Sequence, residues 1–233
     1  MQPIDKSIGS CKTIREGAFV YKKVVKSCFD FIISLFACIF LCPITAVVGL
    51  LIKKEDGGKV FYKAKRLGVN GKVFDMYKFR SMKENAPDIR NDDGTTFSSP
   101  DDPRLTVIGK KLRETSIDEL PQFINVLKGQ MSILGPRPDP PEWYEINSGE
   151  MRKKYTVKPG ISGYTQAYYR NSLPLEEKNK SDLYYAENVS FLLDVKVFFK
   201  TIKTILSHSD VYRNEEVVDF AANENKAESE RSE

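Results

Sequence analysis

One run of hydrophobic residues dominates the polarity pattern of the chain. Residues 31–52 contain no charged side chain, and a helix of that length reaches roughly 33 Å, enough for the hydrocarbon core of a bilayer. Pro43 lies near the middle of the run, where its missing N–H and its ring kink or break a helix. The pattern therefore predicts a membrane helix that is interrupted at Cys42-Pro43.

Lysines flank this run on both sides. Three precede it and two follow it, namely Lys22, Lys23, Lys26, Lys53 and Lys54. A helix that crosses a bilayer normally has its excess of Lys and Arg on the cytoplasmic side only. Two models are consistent with the pattern: a kinked helix that spans the membrane, and a re-entrant helix that turns at Pro43 and returns to the same face.

After the hydrophobic run, the periodicity changes to that of β-strands. Residues 60–65 and 73–79 read as two strands joined around Asn70-Gly71, a strong signal for a hairpin. Lys78 and Arg80 share one face of the second strand because side chains alternate. They are either an anion-binding pair or the solvated end of a strand.

The next segments alternate between loop and helix patterns. Residues 84–104 are polar and rich in turn residues, which predicts a long loop. Residues 191–207 form a wide apolar helix with Lys196, Lys200 and Lys203 on one stripe. Such a helix either lies in a membrane interface or packs on the protein's own core.

A further helix is predicted to begin between Ile117 and Leu120, because Pro121 is tolerated only in a first turn. Phe123, Ile124 and Leu127 would form its apolar face.

Asp118 and Glu119 would lie at the start of this helix, where the dipole favours carboxylates and nearby phosphates alike. Ser116 and Glu119 also fit a capping box. The pair is either a catalytic acidic pair or an ordinary helix cap.

Gly135-Pro136-Arg137-Pro138 is a stiff segment, since each proline fixes its own φ. It either presents Arg137 rigidly to a phosphate or forms an ordinary surface turn.

Charge is unevenly distributed along the chain. The 233 residues have a formal net charge of +4, yet residues 214–233 alone contain seven acidic and two basic residues. The remainder is distinctly basic, which favours an anionic partner such as a phospholipid surface, a nucleotide or a lipid phosphate. Nucleic acid is not expected as a partner, because no dense Lys/Arg block or nucleic-acid-binding motif is present.

The cysteines and the single histidine offer little for catalysis. Cys28, Cys38 and Cys42 lie in or beside the apolar run, and with Cys11 they form no metal-ligand pattern. We interpret them as small apolar side chains. A Ser-His-Asp or Cys-His mechanism would depend on His208 alone, which argues against it.

Five features in this order resemble one family. They are the basic-flanked apolar segment with its central proline, YKFRSM, SIDELPQ, NVLKGQMSILGPRP and KPGISGYTQ. Together, over residues 21–207, they strongly resemble the bacterial sugar transferases, the monotopic phosphoglycosyl transferases that act on polyprenol phosphate. The chain resembles the short members that contain little beyond the catalytic domain.

The resemblance implies a reaction and its residues. Sugar-1-phosphate would move from a UDP-sugar to undecaprenyl phosphate, giving undecaprenyl-diphosphate-sugar and UMP. Asp118 would be the nucleophile and Glu119 would help to hold Mg²⁺. Further substrate-binding residues would be Lys26, Lys78, Arg80, Arg113 and Arg137, with the choice between Lys78 and Arg80 open.

The resemblance also implies an architecture. We expect a helix-rich α+β fold with an N-terminal arm (1–20), a re-entrant membrane helix (21–54), a cytoplasmic catalytic domain with interfacial helices (55–207) and an acidic tail (208–233). The enzyme would sit on the cytoplasmic face of the bacterial inner membrane, begin surface glycan or exopolysaccharide assembly, and supply downstream glycosyltransferases. Sugar specificity would reside near residues 95–99 and 164–169.

Three positions depart from the family pattern. Cys42 replaces a usual serine before Pro43, Ser27 replaces a usual arginine after Lys26, and Gln130 replaces a usual aspartate. Two alternatives to the transferase function are a membrane-anchored scaffold, in which the acidic pair only caps a helix, and a lipid-phosphate hydrolase.

Overall fold

The computed structural model describes residues 21–91, 97, 99, 101–170 and 173–206. This part of the chain is a helix-rich α+β protein, as predicted. A π-helical turn, Tyr21–Val25, precedes the first helix, and three 3₁₀ segments, Val69–Gly71, Ile117–Glu119 and Gly149–Thr156, lie among the described residues. The helices are α1 (Lys26–Asp56), α2 (Val107–Glu114), α3 (Gln122–Leu127), α4 (Trp143–Ile146), α5 (Tyr164–Tyr169), α6 (Leu175–Asn188) and α7 (Phe191–Leu206). The strands are β1 (Phe61–Leu67), β2 (Val73–Phe79), β3 (Ser132–Leu134) and β4 (Gly160–Ser162). The predicted N-terminal arm and acidic tail, with His208, lie outside the described residues.

Helix α1 is the described helix that is long and apolar enough to cross a membrane. It continues through Pro43 as one helix, so the predicted break into two helices is wrong, whereas the predicted kink at this residue stays a prediction. Proline removes one backbone donor, and a helix tolerates that loss when the hydrogen bonds on either side persist. The helix ends at Gly57, whose left-handed φ of 73° lets its N–H reach the carbonyl of Lys53.

Only the two ends of α1 are covered by protein. Asp30 and Ser34 are buried near its start and Val48 and Ile52 near its end, whereas no residue between Ser34 and Val48 is buried. Cys42 is exposed and Cys38 half-buried, so they belong to the uncovered stretch. The middle of the helix therefore presents its apolar side chains away from the globular part.

Two carboxylates attach the N-terminal end of α1 to the domain. Asp194 of α7 accepts hydrogen bonds from Lys26 Nζ at 2.7 Å, Tyr21 Oη at 2.6 Å and Tyr185 Oη at 2.6 Å. Asp30 accepts the backbone N–H of Ile133 in β3. Lys26, which the family resemblance assigned to the lipid phosphate, is thus paired inside the protein.

The C-terminal end of α1 packs on a different part of the same domain. Val48 and Ile52 form a buried cluster with Phe79 and Leu112. Glu55 accepts the N–H of Val107 at the start of α2. Both ends of the apolar helix consequently rest on one globular body.

Strands β1 and β2 form the predicted antiparallel hairpin. Strand β2 has the predicted bounds, whereas β1 begins one residue later and ends two residues later than predicted. Asn70, with φ of 55°, and Gly71, with φ of 75°, turn the chain. One face of the hairpin buries Ala64, Phe74 and Met76 against Val126 and Met131.

Asn125 of α3 joins this helix to β2. Its side chain is fully buried. The side-chain amide accepts a hydrogen bond from the backbone N–H of Tyr77 and donates one to the backbone carbonyl of Asp75, both in β2. It also donates to Gln130 Oε1 at 2.9 Å. The carboxamide oxygen of Gln130 thus supplies an acceptor at the position where the family usually has aspartate.

Replacing Asn125 with alanine should destabilise the protein by about 2–3 kcal/mol, because two buried backbone groups lose their partners. Thermal unfolding in one detergent would measure the loss, with Asn188→Ala as the control, since Asn188 makes a comparable bond at the surface. Equal effects of the two variants would contradict this role of Asn125.

Helix α7 is amphipathic in the sense expected for an interfacial helix. It buries Asp194 and Val197 against the domain. Its exposed apolar side chains are Phe191, Leu192, Phe198, Phe199, Ile202, Ile205 and Leu206. Core packing and a free apolar face, which the sequence left as alternatives, therefore coexist on this helix.

Candidate active site

Asp118 and Glu119 lie in the 3₁₀ turn between α2 and α3. Asp118 is buried, with 7% of its surface exposed, and the Glu119 side chain is 20% exposed. The turn is preceded by Ser116 in a left-handed conformation with φ of 58°. Pro121 follows as the N-cap residue of α3, close to where its position predicted a helix start.

The capping alternative is not what the structure contains. Ser116 makes no side-chain cap hydrogen bond, so the predicted capping box is wrong. Its left-handed backbone is the reason, since an N-cap residue normally has an extended conformation. The predicted apolar face of α3 is also exposed in part: Ile124 is exposed, and the buried residues are Gln122, Asn125 and Val126.

Lys78 and Arg137 converge on Glu119. Lys78 Nζ lies 2.8 Å from Glu119 Oε1, and Arg137 Nη2 lies 3.5 Å from the same oxygen. Asp118 forms no ion pair or hydrogen bond with the residues that the structure describes. The arrangement leaves one carboxylate neutralised by cations and its neighbour available for chemistry.

Arg113 and Arg80 have different surroundings. Arg113 Nε donates to Ser81 Oγ at 3.0 Å, and Arg113 is close enough to act electrostatically on Asp118. Arg80 is buried and paired with Asp56, and its Nε donates to the carbonyl of Lys59. Of the two strand residues that the sequence could not separate, the structure therefore places Lys78 at the acidic pair and Arg80 at the end of α1.

Burial and charge shift the two carboxyl groups in opposite directions. Burial raises the pKa of Asp118, and the charge of Glu119 adds to this rise against the opposing effect of Lys78 and the two arginines. Burial also acts to raise the pKa of Glu119, but Lys78 and Arg137 outweigh it and lower that pKa to about 2. Glu119 is therefore the firmly ionised member and Asp118 the more basic one.

The donor set fits a magnesium ion. Mg²⁺ is usually bound through one or two carboxylates together with water and substrate phosphates, and two adjacent carboxylates are present here. The described residues contain no group of three or more His, Cys, Asp or Glu that could enclose a metal. Glu119 would thus hold the ion jointly with phosphate oxygens of the substrate.

The arginine loop, Gly135-Pro136-Arg137-Pro138, follows β3 directly. Gly135 lies so close to the neighbouring chain that a Cβ there would come 2.3 Å from the carbonyl oxygen of Lys158. Arg137 itself keeps 57% of its side chain exposed. The packed backbone fixes the loop, while the guanidinium remains accessible to a ligand.

A buried polar network supports this loop, and sequence reasoning missed it. Asp139 forms an ion pair with Lys154 Nζ at 2.5 Å and accepts a bond from Tyr155 Oη. Asp182 accepts a hydrogen bond from Thr165 Oγ1 at 2.6 Å. In the sequence these residues lie in polar stretches of surface character, and no local signal marks them as buried.

The buried carboxyl of Asp182 should make stability depend on pH. Burial raises its pKa from 3.8 to about 7, although Thr165 opposes the shift. Between these values the unfolded chain loses a proton that the folded protein keeps, so stability falls as the pH rises, by up to about 4 kcal/mol.

Chemical denaturation between pH 4 and pH 7.5 would measure this fall. Asp182→Asn should remove most of it, because the amide keeps the shape and does not ionise. Asp101→Asn is the control, since the Asp101 side chain is 95% exposed. Parallel curves for the wild type and Asp182→Asn would contradict the prediction.

The aromatic segment expected to contribute to sugar specificity forms helix α5. The Tyr164 ring stacks on the Tyr168 ring, with 4.7 Å between their centroids. Its centroid also lies 5.3 Å from that of the Tyr184 ring in α6. Lys200 of α7 lies 5.4 Å from the Tyr168 ring. In the other candidate loop, residues 95, 96 and 98 lie outside the described part.

Comparisons with known proteins identify the family of this chain. The family model of the bacterial sugar transferases matches residues 21–208. The chain is 37% identical over 198 residues to an uncharacterized sugar transferase of Bacillus subtilis, covering 83% of this chain and 93% of that protein.

Two longer relatives carry more specific names. A galactosyl transferase of Streptococcus agalactiae is 40% identical over 176 residues, covering 72% of this chain and 39% of the relative. The undecaprenyl-phosphate galactose phosphotransferase of Salmonella typhimurium is 33% identical over 201 residues, covering 82% of this chain and 42% of the relative. The chain thus spans less than half of these two proteins. With the family model matched over nearly all described residues, the chain belongs to the bacterial sugar transferase family.

Proposed function

We propose that this protein transfers sugar-1-phosphate from a UDP-sugar to undecaprenyl phosphate through a covalent intermediate on Asp118. The observation that carries the proposal is the pair of adjacent carboxylates, one ion-paired with Lys78 and Arg137 and the other unpaired among the described residues. A buried carboxylate surrounded by cations can approach a negatively charged diphosphate. The name of the Salmonella typhimurium relative, an undecaprenyl-phosphate galactose phosphotransferase, supports the acceptor.

In the first step, a carboxylate oxygen of Asp118 attacks the sugar-bearing phosphorus. A new O–P bond forms, the bond to the bridging oxygen breaks, and UMP leaves with that oxygen and its electron pair. In the second step, a phosphate oxygen of undecaprenyl phosphate attacks the same phosphorus and the Asp118 carboxylate is released. Two displacements through a carboxylate nucleophile replace one difficult transfer.

The surrounding cations have separate tasks in this mechanism. Lys78 keeps Glu119 ionised and offsets negative charge next to the transferred phosphoryl group. Arg113 and the exposed Arg137 supply donors to its oxygens, as phosphoryl transfer generally requires. Bound Mg²⁺, held with Glu119, would neutralise the diphosphate and assist departure of UMP.

We also propose that α1 is re-entrant and that the catalytic domain lies on the cytoplasmic face. Two observations support this topology: both ends of the helix rest on the same domain, and lysines flank it on both sides. The exposed apolar face of α7 would lie in the interface of the same leaflet. Tags on Met1 and Glu233 should be accessible from the same face, and tags on opposite faces would exclude the re-entrant model.

UMP release from a panel of UDP-sugars tests the reaction. In the presence of Mg²⁺, the wild-type protein should release UMP in proportion to added undecaprenyl phosphate, with a lipid-linked diphosphate sugar as the second product. Release of inorganic phosphate from the lipid without any sugar donor would instead indicate a hydrolase. If no donor supports release with the lipid present, the scaffold function would be favoured.

A further inference from the structure

Arg66 of β1 lies on the same face of the hairpin as Lys78. In the register of the two strands, Tyr62 is opposite Lys78 and Arg66 is opposite Phe74. Directly paired residues of antiparallel strands project from the same face. Phe74 is buried against α3 and its surroundings, so Arg66 belongs to the face that is turned towards the acidic pair.

The strand end that carries Arg66 is attached to the arginine loop. The backbone N–H of Leu67 donates to the carbonyl of Asp139 at 2.8 Å. Leu67, Gly68, Arg137 and Pro138 line one small cleft. Burial, and then the positive charge of Arg137, lower the pKa of the Arg66 guanidinium. Two like charges are therefore held near each other beside this cleft.

The carboxylates around Arg66 are already bound by other groups. Glu142 pairs with Arg90 at 2.7 Å and Asp88 pairs with Arg90 at 2.8 Å. Asp139 pairs with Lys154. Arg66 forms no ion pair with any described residue, and its own hydrogen bond goes to the carbonyl of Lys65.

Arg137 shares Glu119 with Lys78, and Arg66 has no carboxylate of its own among the described residues, so the repulsion between the two guanidinium groups favours binding of an anion. Each guanidinium can offer paired donors to a phosphate. Arg66 is opposite Phe74, four residues along β2 from Lys78, so its positive charge lies further along the hairpin than that of the lysine at Glu119. It is thus suited to a second phosphate, next to the one that reacts at Asp118.

We infer that Arg66, with Arg137, binds the phosphate that remains on the nucleotide, so that Arg66 is a binding residue for the UMP leaving group. The inference rests on the proposed function and adds to it the site of the second phosphate. Lys78 and Arg113 serve the phosphoryl group that is transferred, Arg137 contacts both phosphates, and Arg66 serves the group that departs. The Lys65 side chain, one residue earlier, projects from the opposite face and pairs with Asp75, so it supplies a matched control.

Binding of UMP and of uridine to the purified full-length protein, without lipid acceptor, tests this inference. Arg66→Ala should weaken UMP binding about 10- to 100-fold, the loss expected for a charge-assisted contact. Uridine, which has no phosphate, should bind equally to both proteins. Arg66→Lys should give an intermediate loss, because it keeps the charge but not the paired donors. Lys65→Ala should bind UMP as the wild type does.

Kinetics provide the second readout. Arg66→Ala should raise the KM for the UDP-sugar by a similar factor and leave the KM for undecaprenyl phosphate unchanged. Unchanged UMP binding, or a loss that affects only the lipid phosphate, would overturn the inference. An equal loss of UMP and uridine binding would indicate a structural role and would also overturn it. If the wild-type protein neither binds UMP nor releases it, the proposed function itself fails, and that result is distinct from all of these.

Discussion

Asp118→Asn should abolish the covalent sugar-phosphate adduct and lower UMP release by at least about 10³-fold, as expected for loss of a nucleophile. The amide has nearly the same shape as the carboxylate but cannot form the acyl phosphate. Asp118 makes no ion pair among the described residues, so its replacement should leave the fold and UMP binding intact. Loss of activity together with unchanged UMP binding would thus indicate loss of chemistry rather than loss of structure.

Intact mass spectrometry with Mg²⁺ and a panel of UDP-sugars, in the absence of lipid acceptor, measures the adduct directly. The wild-type protein should gain the mass of one sugar phosphate, and the donor that produces the gain identifies an accepted sugar. Glu114→Gln is the matched control, since Glu114 is a neighbouring carboxylate at the end of α2. An adduct that persists in Asp118→Asn would show that another residue is the nucleophile.

The largest effect on stability is expected at Asp194. This buried carboxylate accepts bonds from Lys26, Tyr21 and Tyr185. Asp194→Ala would leave the Lys26 ammonium without its partner, with only 12% of that side chain exposed. Removing one partner of a buried ion pair costs about 3–5 kcal/mol. The variant should therefore unfold at a clearly lower temperature and loosen the start of α1.

A double variant separates the unpaired charge from the loss of packing. Asp194→Ala combined with Lys26→Met should be more stable than Asp194→Ala alone, because no charge is then left buried. Lys203→Ala, at an exposed position of the same helix, is the control and should unfold like the wild type. Thermal unfolding in one detergent would compare all four proteins. A cost below about 1 kcal/mol for Asp194→Ala would contradict the role given to this carboxylate.

Ser116 shows how a local sequence rule can fail. Serine followed three residues later by glutamate is a frequent N-cap pattern. The chain instead turns sharply between α2 and α3, which puts Ser116 in a left-handed conformation. Glu119 is thereby released from capping and pairs with Lys78 from β2, 41 residues earlier in the chain. Long-range charge pairing has displaced a local hydrogen bond.

Lys78 and Arg80 show that local sequence rules also fail to assign ion-pair partners to side chains of equal charge. Strand alternation predicted that they share one face, but it could not say which carboxylate each would meet. Glu119 and Asp56 decide this, and they come from different elements of the fold. The burial of Lys154 and Asp182 was missed for a related reason, since burial of a charge depends on partners distant in sequence.

The sequence alone determined the apolar helix, the hairpin at Asn70-Gly71, the helix-rich α+β class and the motif order by which the family is recognised. These features depend on residue type and local spacing, because periodicity and turn preference act between near neighbours. Only the tertiary structure decided that Lys78 rather than Arg80 pairs with Glu119, that Lys26 forms an ion pair with Asp194, and that both ends of α1 pack on one domain. Those outcomes are set by contacts between groups far apart in the chain, where distance and burial, rather than residue type, determine which charges pair.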